Sequence, residues 1–271
     1  MAAPVLIFDS GVGGLSVARA LRDRLPGAPL AYVCDNAAMP YGTKPDDWLV
    51  RRIVAVCQAA LAASGAQALV VACNTASTLA LEALRAQLTV PVIGTVPAIK
   101  PAAHLTRSGV IGLLATTATV GRPYTDRLIA DFACQCRVVR VAADALVMQA
   151  ERQVAGEGVE TAVIEHCLAP LWREPELDTV VLGCTHFPLL NERLAACAPR
   201  PIQWIDSGSA IARRVVQVLG ERITAEAGVA DSWSTAPASA GLVAWLAGFG
   251  FAPPHQLAVN ERITAGVAGQ S

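Results

Sequence analysis

Two similar stretches, Val-Val-Ala-Cys-Asn-Thr at residues 70–75 and Val-Leu-Gly-Cys-Thr-His at residues 181–186, decide how this chain is expected to fold. Each starts as a short apolar run typical of a buried strand and ends in small polar residues that predict a turn into a helix. In open α/β sheets, ligands bind just beyond the carboxyl ends of strands. We therefore expect Cys73 and Cys184 to lie at matched strand ends and to act as a paired acid and base on one substrate.

Strand-like runs alternate with helical patterns along the 271 residues. This alternation predicts an α/β fold with mainly parallel sheets and crossover helices. One helix is expected from Asp46 to Gly65, because acidic residues suit the positive end of a helix dipole. A loop is expected over residues 228–241, a short helix over residues 242–246, and frayed residues at the chain end. The predicted strands are residues 5–8, 30–34, 68–72, 92–94, 110–114, 135–141, 179–182 and 203–206, with residues 255–258 as an edge strand.

The two halves of the chain look related. Cys73 precedes the segment around Ile93 by the same number of residues as Cys184 precedes the segment around Trp204. A repeat of about 110 residues indicates duplicated domains, not a solenoid. Two such units facing each other would bring both cysteines to one cleft, which is where small-ligand sites tend to form.

The composition excludes several classes of protein. The net charge is −1, so the sequence does not favour binding to nucleic acid or to an anionic membrane. No apolar stretch reaches the roughly 18 residues of a membrane-spanning helix. The start of the chain lacks the basic region of a signal peptide. The eight cysteines are therefore expected to be reduced thiols of a cytoplasmic protein, not a disulfide framework.

A glycine-rich loop, Asp-Ser-Gly-Val-Gly-Gly at residues 9–14, follows the first predicted strand. Its spacing does not match the dinucleotide-binding pattern. It could hold a substrate carboxylate on backbone N–H groups while Asp9 grips an ammonium, or it could be a plain turn capped by Ser10. Tyr41 and Gly42 lie in a second turn, which could close over a small substrate or be an ordinary surface turn.

Polar residues follow both cysteines: Asn74 and Thr75 the first, Thr185 and His186 the second. These donors could bind a carboxylate and stabilise the enolate-like charge that forms when an α-proton leaves. A helix N-terminus beside each sulfur is expected to lower the thiol pKa from about 8.5. His186 could accept the proton of the neighbouring thiol.

Taken together, these motifs resemble those of the glutamate racemases, a family of cofactor-independent amino-acid racemases. The resemblance runs from residue 5 to about residue 215. The stretches that carry it are residues 8–15, Asp35-Asn36, residues 40–42, Ala72-Cys73-Asn74-Thr75-Ala76, residues 94–98, Gly183-Cys184-Thr185-His186-Phe187-Pro188-Leu189 and residues 205–208.

The resemblance implies two pseudo-symmetric α/β domains with the active site in the cleft between them. The first domain would hold residues 1–96 and 209–271, and the second residues 97–208. Cys73 and Cys184 would be the two bases, one on each face of glutamate, in an isomerase that supplies D-glutamate for peptidoglycan. A homodimer that uses no cofactor and no metal is also implied.

The resemblance further implies the roles of individual residues. Asp9 and His186 would assist the cysteines. Glu151 is in register with a family glutamate, although Met148 stands where the family has a proline. From the residues alone, Asp144 and Glu151 could each assist a thiol or occupy a solvated helix face. The implied substrate-binding residues are Asp9, Ser10, Tyr41, Gly42, Asn74, Thr75, Thr185 and His186.

Other functions remain as alternatives. A racemase that uses pyridoxal phosphate needs a Schiff-base lysine, and neither Lys44 nor Lys100 has a convincing setting for one. Aspartate is an alternative substrate. Cys73, Cys184 and His186 could instead bind zinc, although their spacing is unusual for it. A binding module that has lost the chemistry is the last alternative, and the presence of both cysteines speaks against it.

Overall fold

The computed structural model describes residues 3–220 and 230–259. Within them, two parallel sheets are flanked by helices. The strands are β1 Val5–Asp9, β2 Leu30–Cys34, β3 Ala68–Val71, β4 Val92–Gly94, β5 Val110–Ala115, β6 Arg137–Ala142, β7 Thr179–Leu182, β8 Gln203–Ile205, β9 Ser232–Ser234 and β10 His255–Gln256.

Helices connect most of these strands. The α-helices are α1 Gly14–Arg24, α2 Asp46–Ser64, α3 Asn74–Gln87, α4 Ile99–Leu105, α5 Thr117–Val120, α6 Pro123–Phe132, α7 Ala145–Ala155, α8 Thr161–Trp172, α9 Asn191–Ala196, α10 Gly208–Leu219 and α11 Ala240–Gly248. Two 3-10 helices span Tyr41–Thr43 and Phe187–Leu190.

The first sheet has the strand order β10-β9-β2-β1-β3-β4, with all neighbours parallel. Its central strand β1 is fully buried because helices cover both faces of the sheet. Val5 and Ile7 pack into the core on one face, and Leu6 and Phe8 pack into the core on the other. This is why β1 is an uninterrupted apolar run and not an alternating one.

The second sheet has the order β6-β5-β7-β8, again with parallel neighbours. Strands β2-β1-β3-β4 of the first sheet follow the same pattern, since the first strand of each unit is central and the third lies beside it. The predicted repeat is confirmed by this order. The strands before Cys73 and Cys184 are the equivalent strands β3 and β7.

Most sequence-predicted elements are confirmed to within two residues. The helix expected from Asp46 is α2, and it ends at Gly65, whose φ of 60° is a left-handed conformation that glycine adopts without strain. The short helix expected at residues 242–246 is α11, and the edge strand expected near residue 255 is β10. Residues 228–229 and the chain end beyond residue 259 lie outside the described residues.

The loop predicted over residues 228–241 is wrong in part, because it contains β9 and the start of α11. β9 is a Ser-Trp-Ser strand that pairs with β2. Ser232 is fully buried and donates its hydroxyl to the carbonyl of Ala252 at 2.7 Å. A serine whose hydroxyl is satisfied in this way can occupy a buried strand position, which composition alone does not indicate.

After β8 the chain crosses back to the first sheet. Ile211, Val215 and Leu219 of α10 share a core with Leu15 of α1. All eight cysteines are free thiols, as predicted. No helix in residues 3–220 and 230–259 is long and apolar enough to cross a membrane.

Candidate active site

A cavity of about 420 Å³ lies between the carboxyl ends of the two sheets. Both cysteines line it, together with most of the residues that the sequence analysis selected. Asp9 and Glu151 lie behind the lining. The selected residues that line it are Ser10, Tyr41, Gly42, Cys73, Asn74, Thr75, Cys184, Thr185 and His186.

Cys73 follows β3 and caps the N-terminus of α3. Its sulfur lies 3.6 Å from the hydroxyl of Ser10. The backbone N–H of Ala76 and the Ser10 hydroxyl both act to lower the pKa of the thiol. The side chain is nearly inaccessible, and burial together with the charge of Asp9 raises the thiol pKa to about 12. The expectation of a lowered pKa is therefore wrong for Cys73, since burial outweighs the helix N-terminus.

Cys184 follows β7 and has different neighbours. Its sulfur lies 3.8 Å from Nδ1 of His186, whose Nε2 lies 2.7 Å from Oε1 of Glu151. Burial alone would lower the pKa of His186, but the hydrogen bonds with Cys184 and Glu151 and the charge of Asp9 raise it well above its ordinary value. His186 is therefore placed to take the proton of Cys184 and to hold it against a carboxylate.

Asp9 lies at the end of β1 and is completely buried. One carboxylate oxygen accepts the N–H of Gly11 at 2.9 Å, and the other accepts the hydroxyl of Thr185 at 2.9 Å. Burial raises the pKa of Asp9, although the charge of His186 and these hydrogen bonds oppose the rise. Because Asp9 does not line the cavity, the geometry gives no support to a direct grip on a substrate ammonium.

The glycine-rich loop is one place where the two halves touch. A Cβ on Gly13 would lie 2.5 Å from Oγ1 of Thr185 and 2.7 Å from Nδ1 of His186. A Cβ on Gly11 would overlap Oε1 of Glu151. Glycine is needed at both positions because the backbone of the first half lies directly against side chains of the second.

The binding residues around the cysteines offer hydrogen-bonding groups and little charge. Oδ1 of Asn74 is buried and has no hydrogen-bond partner within the described residues, so it is free to accept from a ligand ammonium. The hydroxyl of Tyr41 donates to Asp35 at 2.7 Å, so Tyr41 offers the cavity its ring and backbone. No Lys or Arg is among the lining residues, and neither Lys44 nor Lys100 reaches the cavity.

Sequence reasoning missed a group of threonines on the second half. Thr116, Thr117 and Thr119 line the cavity just after β5. In the repeat, β5 corresponds to β1, so Thr116 occupies the place that Ser10 occupies in the first half. The internal repeat therefore contained the signal that would have found them. Asp144 also lines the cavity and accepts the backbone N–H of Thr117 at 3.1 Å.

The proposed zinc alternative gains no support from the geometry. The described residues contain no group of three or more His, Cys, Asp and Glu side chains arranged to hold a metal ion. His186 directs one ring nitrogen at Cys184 and the other at Glu151. That arrangement suits transfer of a proton.

The matched thiols and their neighbours can be compared with known proteins. A family model described as Asp/Glu/hydantoin racemase matches residues 15–215. The chain belongs to this family. The resemblance seen in the motifs is thereby confirmed, and the matched region includes both cysteines, His186 and Glu151.

Individual relatives are similar over most of the chain. The glutamate racemase of Proteus mirabilis is 53% identical over 214 residues, which are 78% of this chain and 74% of that protein. The glutamate racemase of Salmonella typhi is 45% identical over 260 residues, which are 94% of this chain and 92% of that protein.

Solved structures give the same result for the fold. Escherichia coli glutamate racemase, in complex with L-glutamate and the activator UDP-MurNAc-ala, aligns with a TM-score of 0.90 at 43% identity and covers 95% of this chain and 99% of its own. A glutamate racemase isoform from Bacillus anthracis aligns with a TM-score of 0.79 at 28% identity and covers 94% of this chain and 97% of its own. The two-domain α/β fold expected from the motifs is confirmed by these alignments.

Proposed function

We propose that Cys73 and Cys184 are the two bases of a glutamate racemase that interconverts L- and D-glutamate without a cofactor. The activity itself follows from membership of the family and from glutamate racemases 45–53% identical to this chain over most of its length. The roles of the two thiols are our proposal. The observation that carries it is one cavity lined by two thiols from equivalent strands of the two halves.

In the proposed reaction, glutamate lies between the two sulfurs. One cysteine, as thiolate, removes the α-proton, and the electron pair of the broken C–H bond moves into the α-carboxylate as an enolate-like dianion. The thiol of the other cysteine then donates its proton to the opposite face of the α-carbon. The protonation states of the two sulfurs are exchanged by each turnover, and the reverse reaction uses them in the opposite order.

The dianion needs stabilisation because the α-proton of an amino acid is weakly acidic. The cavity offers hydroxyl and amide donors from Thr75 and Asn74 and the N-terminus of α3 beside Cys73. Thr185 lines the same surface, but its hydroxyl already donates to Asp9. The absence of Lys and Arg from the described lining means that these neutral groups would bind both substrate carboxylates. Ser10, Tyr41 and Gly42 would complete the binding surface.

Each thiol would be activated by its own neighbours. His186, held by Glu151, would accept the proton of Cys184 and return it. Among the described residues, no histidine lies beside Cys73. Because its pKa is raised, Cys73 keeps its proton at neutral pH and can donate it to the substrate. Once formed, its thiolate is a strong base. Asp9 would assist Cys73 by proton transfer through Ser10, whose hydroxyl lies 3.5 Å from Oδ1 of Asp9 and 3.6 Å from the sulfur. The negative charge of Asp9 by itself opposes formation of the thiolate.

We further propose the biological setting of this activity. D-Glutamate is a component of bacterial peptidoglycan, so the enzyme would supply cell-wall synthesis. Eight free thiols fit a reducing compartment, which points to the cytoplasm. As the resemblance implies, the chain would form a homodimer whose partner is a second copy and whose ligand is a small molecule, not nucleic acid. Sedimentation velocity tests the dimer directly.

The experiment that tests the activity uses purified protein with no pyridoxal phosphate. Optical rotation or circular dichroism follows L-glutamate, D-glutamate and both enantiomers of aspartate, each with and without EDTA. We expect both glutamate enantiomers to approach the racemate, aspartate to react far more slowly, and EDTA to have no effect. Faster racemisation of aspartate would show that aspartate, not glutamate, is the substrate. Loss of activity in EDTA would support the zinc alternative.

A further inference from the structure

We propose that Tyr32 is a positioning residue for the Cys184 half of the reaction, acting through the peptide bond between Gly11 and Val12. This proposal rests on the proposed function of Cys184. Tyr32 lies on β2 in the first sheet and does not line the cavity, whereas Cys184 follows β7 in the second. The proposal therefore joins two residues that the sequence separates widely.

A continuous series of contacts connects the two residues. The hydroxyl of Tyr32 donates to the carbonyl oxygen of Gly11 at 2.7 Å. The N–H of Val12 donates to Oε1 of Glu151 at 3.1 Å. The same carboxylate oxygen meets Nε2 of His186, and the other ring nitrogen meets the sulfur of Cys184.

The central link is a single rigid unit. The carbonyl of Gly11 and the N–H of Val12 belong to one planar peptide group, so fixing the oxygen also fixes the direction of the N–H. A hydrogen bond accepted at the oxygen also polarises the group and strengthens the bond that its N–H donates. Glu151 is held from the second half by His186 and from the first half by this peptide.

Tyr32 is itself held firmly enough to act as an anchor. It is fully buried, and its ring packs against Phe251 with centroids 5.6 Å apart. A Cβ on Gly14 would lie 3.0 Å from the Tyr32 hydroxyl, so the loop is packed closely over it. Burial and the charge of Asp9 raise the pKa of the phenol well above its ordinary value, so it remains protonated and able to donate.

The series of contacts does not include the other thiol. The sulfur of Cys73 lies 3.6 Å from the hydroxyl of Ser10, and within the described residues that hydroxyl makes no hydrogen bond to the Gly11 carbonyl. Removing the Tyr32 hydroxyl would leave that carbonyl buried without its donor and free the peptide to tilt, which weakens the hold on Glu151. The proton transfer at Cys184 should then slow more than the transfer at Cys73.

The test is Tyr32→Phe, which keeps the ring and its packing. Rates are measured in both directions with substrates carrying hydrogen or deuterium at the α-carbon. Because two enantiomers are equally stable, kcat/KM must fall equally in both directions, and we expect a fall of about tenfold for one lost buried hydrogen bond. The deuterium isotope effect should rise for the enantiomer whose proton Cys184 removes and fall for the other.

Two further variants make the test specific. Tyr124→Phe makes the same chemical change on α6, away from the cavity, and should match the wild-type rates and isotope effects. Glu151→Gln should give the same asymmetry as Tyr32→Phe, and the double variant should lose less than the product of the two single effects.

Each outcome is decisive for one of the proposals. Wild-type rates in Tyr32→Phe, or isotope effects that change equally for both enantiomers, would overturn the positioning role and leave the two-thiol reaction intact. If the wild-type protein does not racemise glutamate at all, the proposed function itself fails. Thermal unfolding of all variants identifies a general loss of stability, which would slow both proton transfers alike.

Discussion

The two cysteines hold the same position in two halves of similar topology, yet their surroundings differ. Cys184 has a histidine beside it, which is held in turn by Glu151. Cys73 has the hydroxyl of Ser10 as its side-chain partner within the described residues, and burial raises its pKa to about 12. The difference teaches that the repeat fixes where each sulfur lies, while the residues around each sulfur decide which groups can take up and return its proton.

The same contrast holds for the carboxylate that follows the second strand of each half. Asp35, after β2, is fully buried and paired with Arg52 at 2.7 Å. Asp144, after β6, is exposed and accepts the N–H of Thr117. The first half therefore depends on a buried ion pair behind the Tyr41 turn, and the second half does not.

The largest effect is expected from breaking that ion pair. Arg52→Met leaves the Asp35 carboxylate buried without its cation, which should lower the free energy of unfolding by about 3–5 kcal/mol. Asp144→Asn neutralises the exposed carboxylate that follows the second strand of the other half, and it should lower the free energy of unfolding by less than about 1 kcal/mol. Urea unfolding measures both. Similar losses in the two variants would contradict the contrast between the halves.

A slightly smaller effect is expected at the contact between the halves. The Cβ introduced by Gly13→Ala would lie 2.7 Å from Nδ1 of His186 and would displace it. Misplacement of a catalytic group by about 1 Å can cost on the order of 100-fold in rate. We expect kcat/KM for glutamate to fall by about that factor. The free energy of unfolding should also fall by about 1–3 kcal/mol, because the Cβ would meet the backbone nitrogen of His186 at 2.9 Å.

The control for this change is Gly158→Ala. A Cβ at Gly158 meets no atom within 4 Å, and its φ lies outside the positive range. It should leave kcat/KM unchanged. Unchanged activity in Gly13→Ala would show that the close approach of the loop to His186 is not needed for turnover.

The raised pKa of Cys73 gives a prediction of intermediate size. Only the thiolate reacts with iodoacetamide, so alkylation of Cys73 should rise about tenfold per pH unit from pH 7 to pH 10 with no plateau. Mass spectrometry of the alkylated peptides follows each cysteine separately, with exposed Cys134 as the reference for reagent access. Asp9→Asn removes a charge that raises this pKa and should speed alkylation of Cys73. A plateau in the alkylation rate below pH 9 would contradict a raised pKa for Cys73.

The smallest effect concerns the ion pair between Asp46 of α2 and Arg122 before α6, with two contacts at 2.7 and 3.0 Å. The pair joins the halves at an exposed site, so Asp46→Asn should lower the free energy of unfolding by about 0.2–1 kcal/mol at neutral pH. The hydrogen bond from Arg122 lowers the pKa of Asp46. In the wild type, the stability that this ion pair contributes is therefore fully present above about pH 3.9, the ordinary pKa of an aspartate. It disappears as the pH falls through the lowered pKa of Asp46. A difference between variant and wild type that persists at pH 2 would argue against this pair as its source.

Much of the fold could be predicted because the strands are continuous apolar runs between turn residues. β1 and β3 could be found this way, since burial on both faces requires such runs. β9 could not, because Ser232 and Ser234 look like loop residues until their hydroxyl and backbone partners are known.

The residues of the candidate site also fall into those that local motifs predict and those that only the complete fold brings together. Cys73, Cys184 and His186 could be found because short motifs carry them at strand ends. The bond from Thr185 to Asp9 and the approach of Gly13 to His186 join residues of different halves, so local sequence does not contain them. The pKa of Cys73 was predicted in the wrong direction because burial depends on the whole fold.

The central claim is that the two thiols work on opposite faces of one substrate. The most direct measurement follows α-deuterium incorporation in heavy water for wild type, Cys73→Ala and Cys184→Ala, each with L-glutamate and with D-glutamate. We predict that wild type converts both enantiomers and that neither single variant racemises measurably. Any exchange that a variant retains should be confined to one enantiomer, and the two variants should retain opposite ones. Racemisation that survives in both variants, or exchange of the same enantiomer in both, would contradict the account.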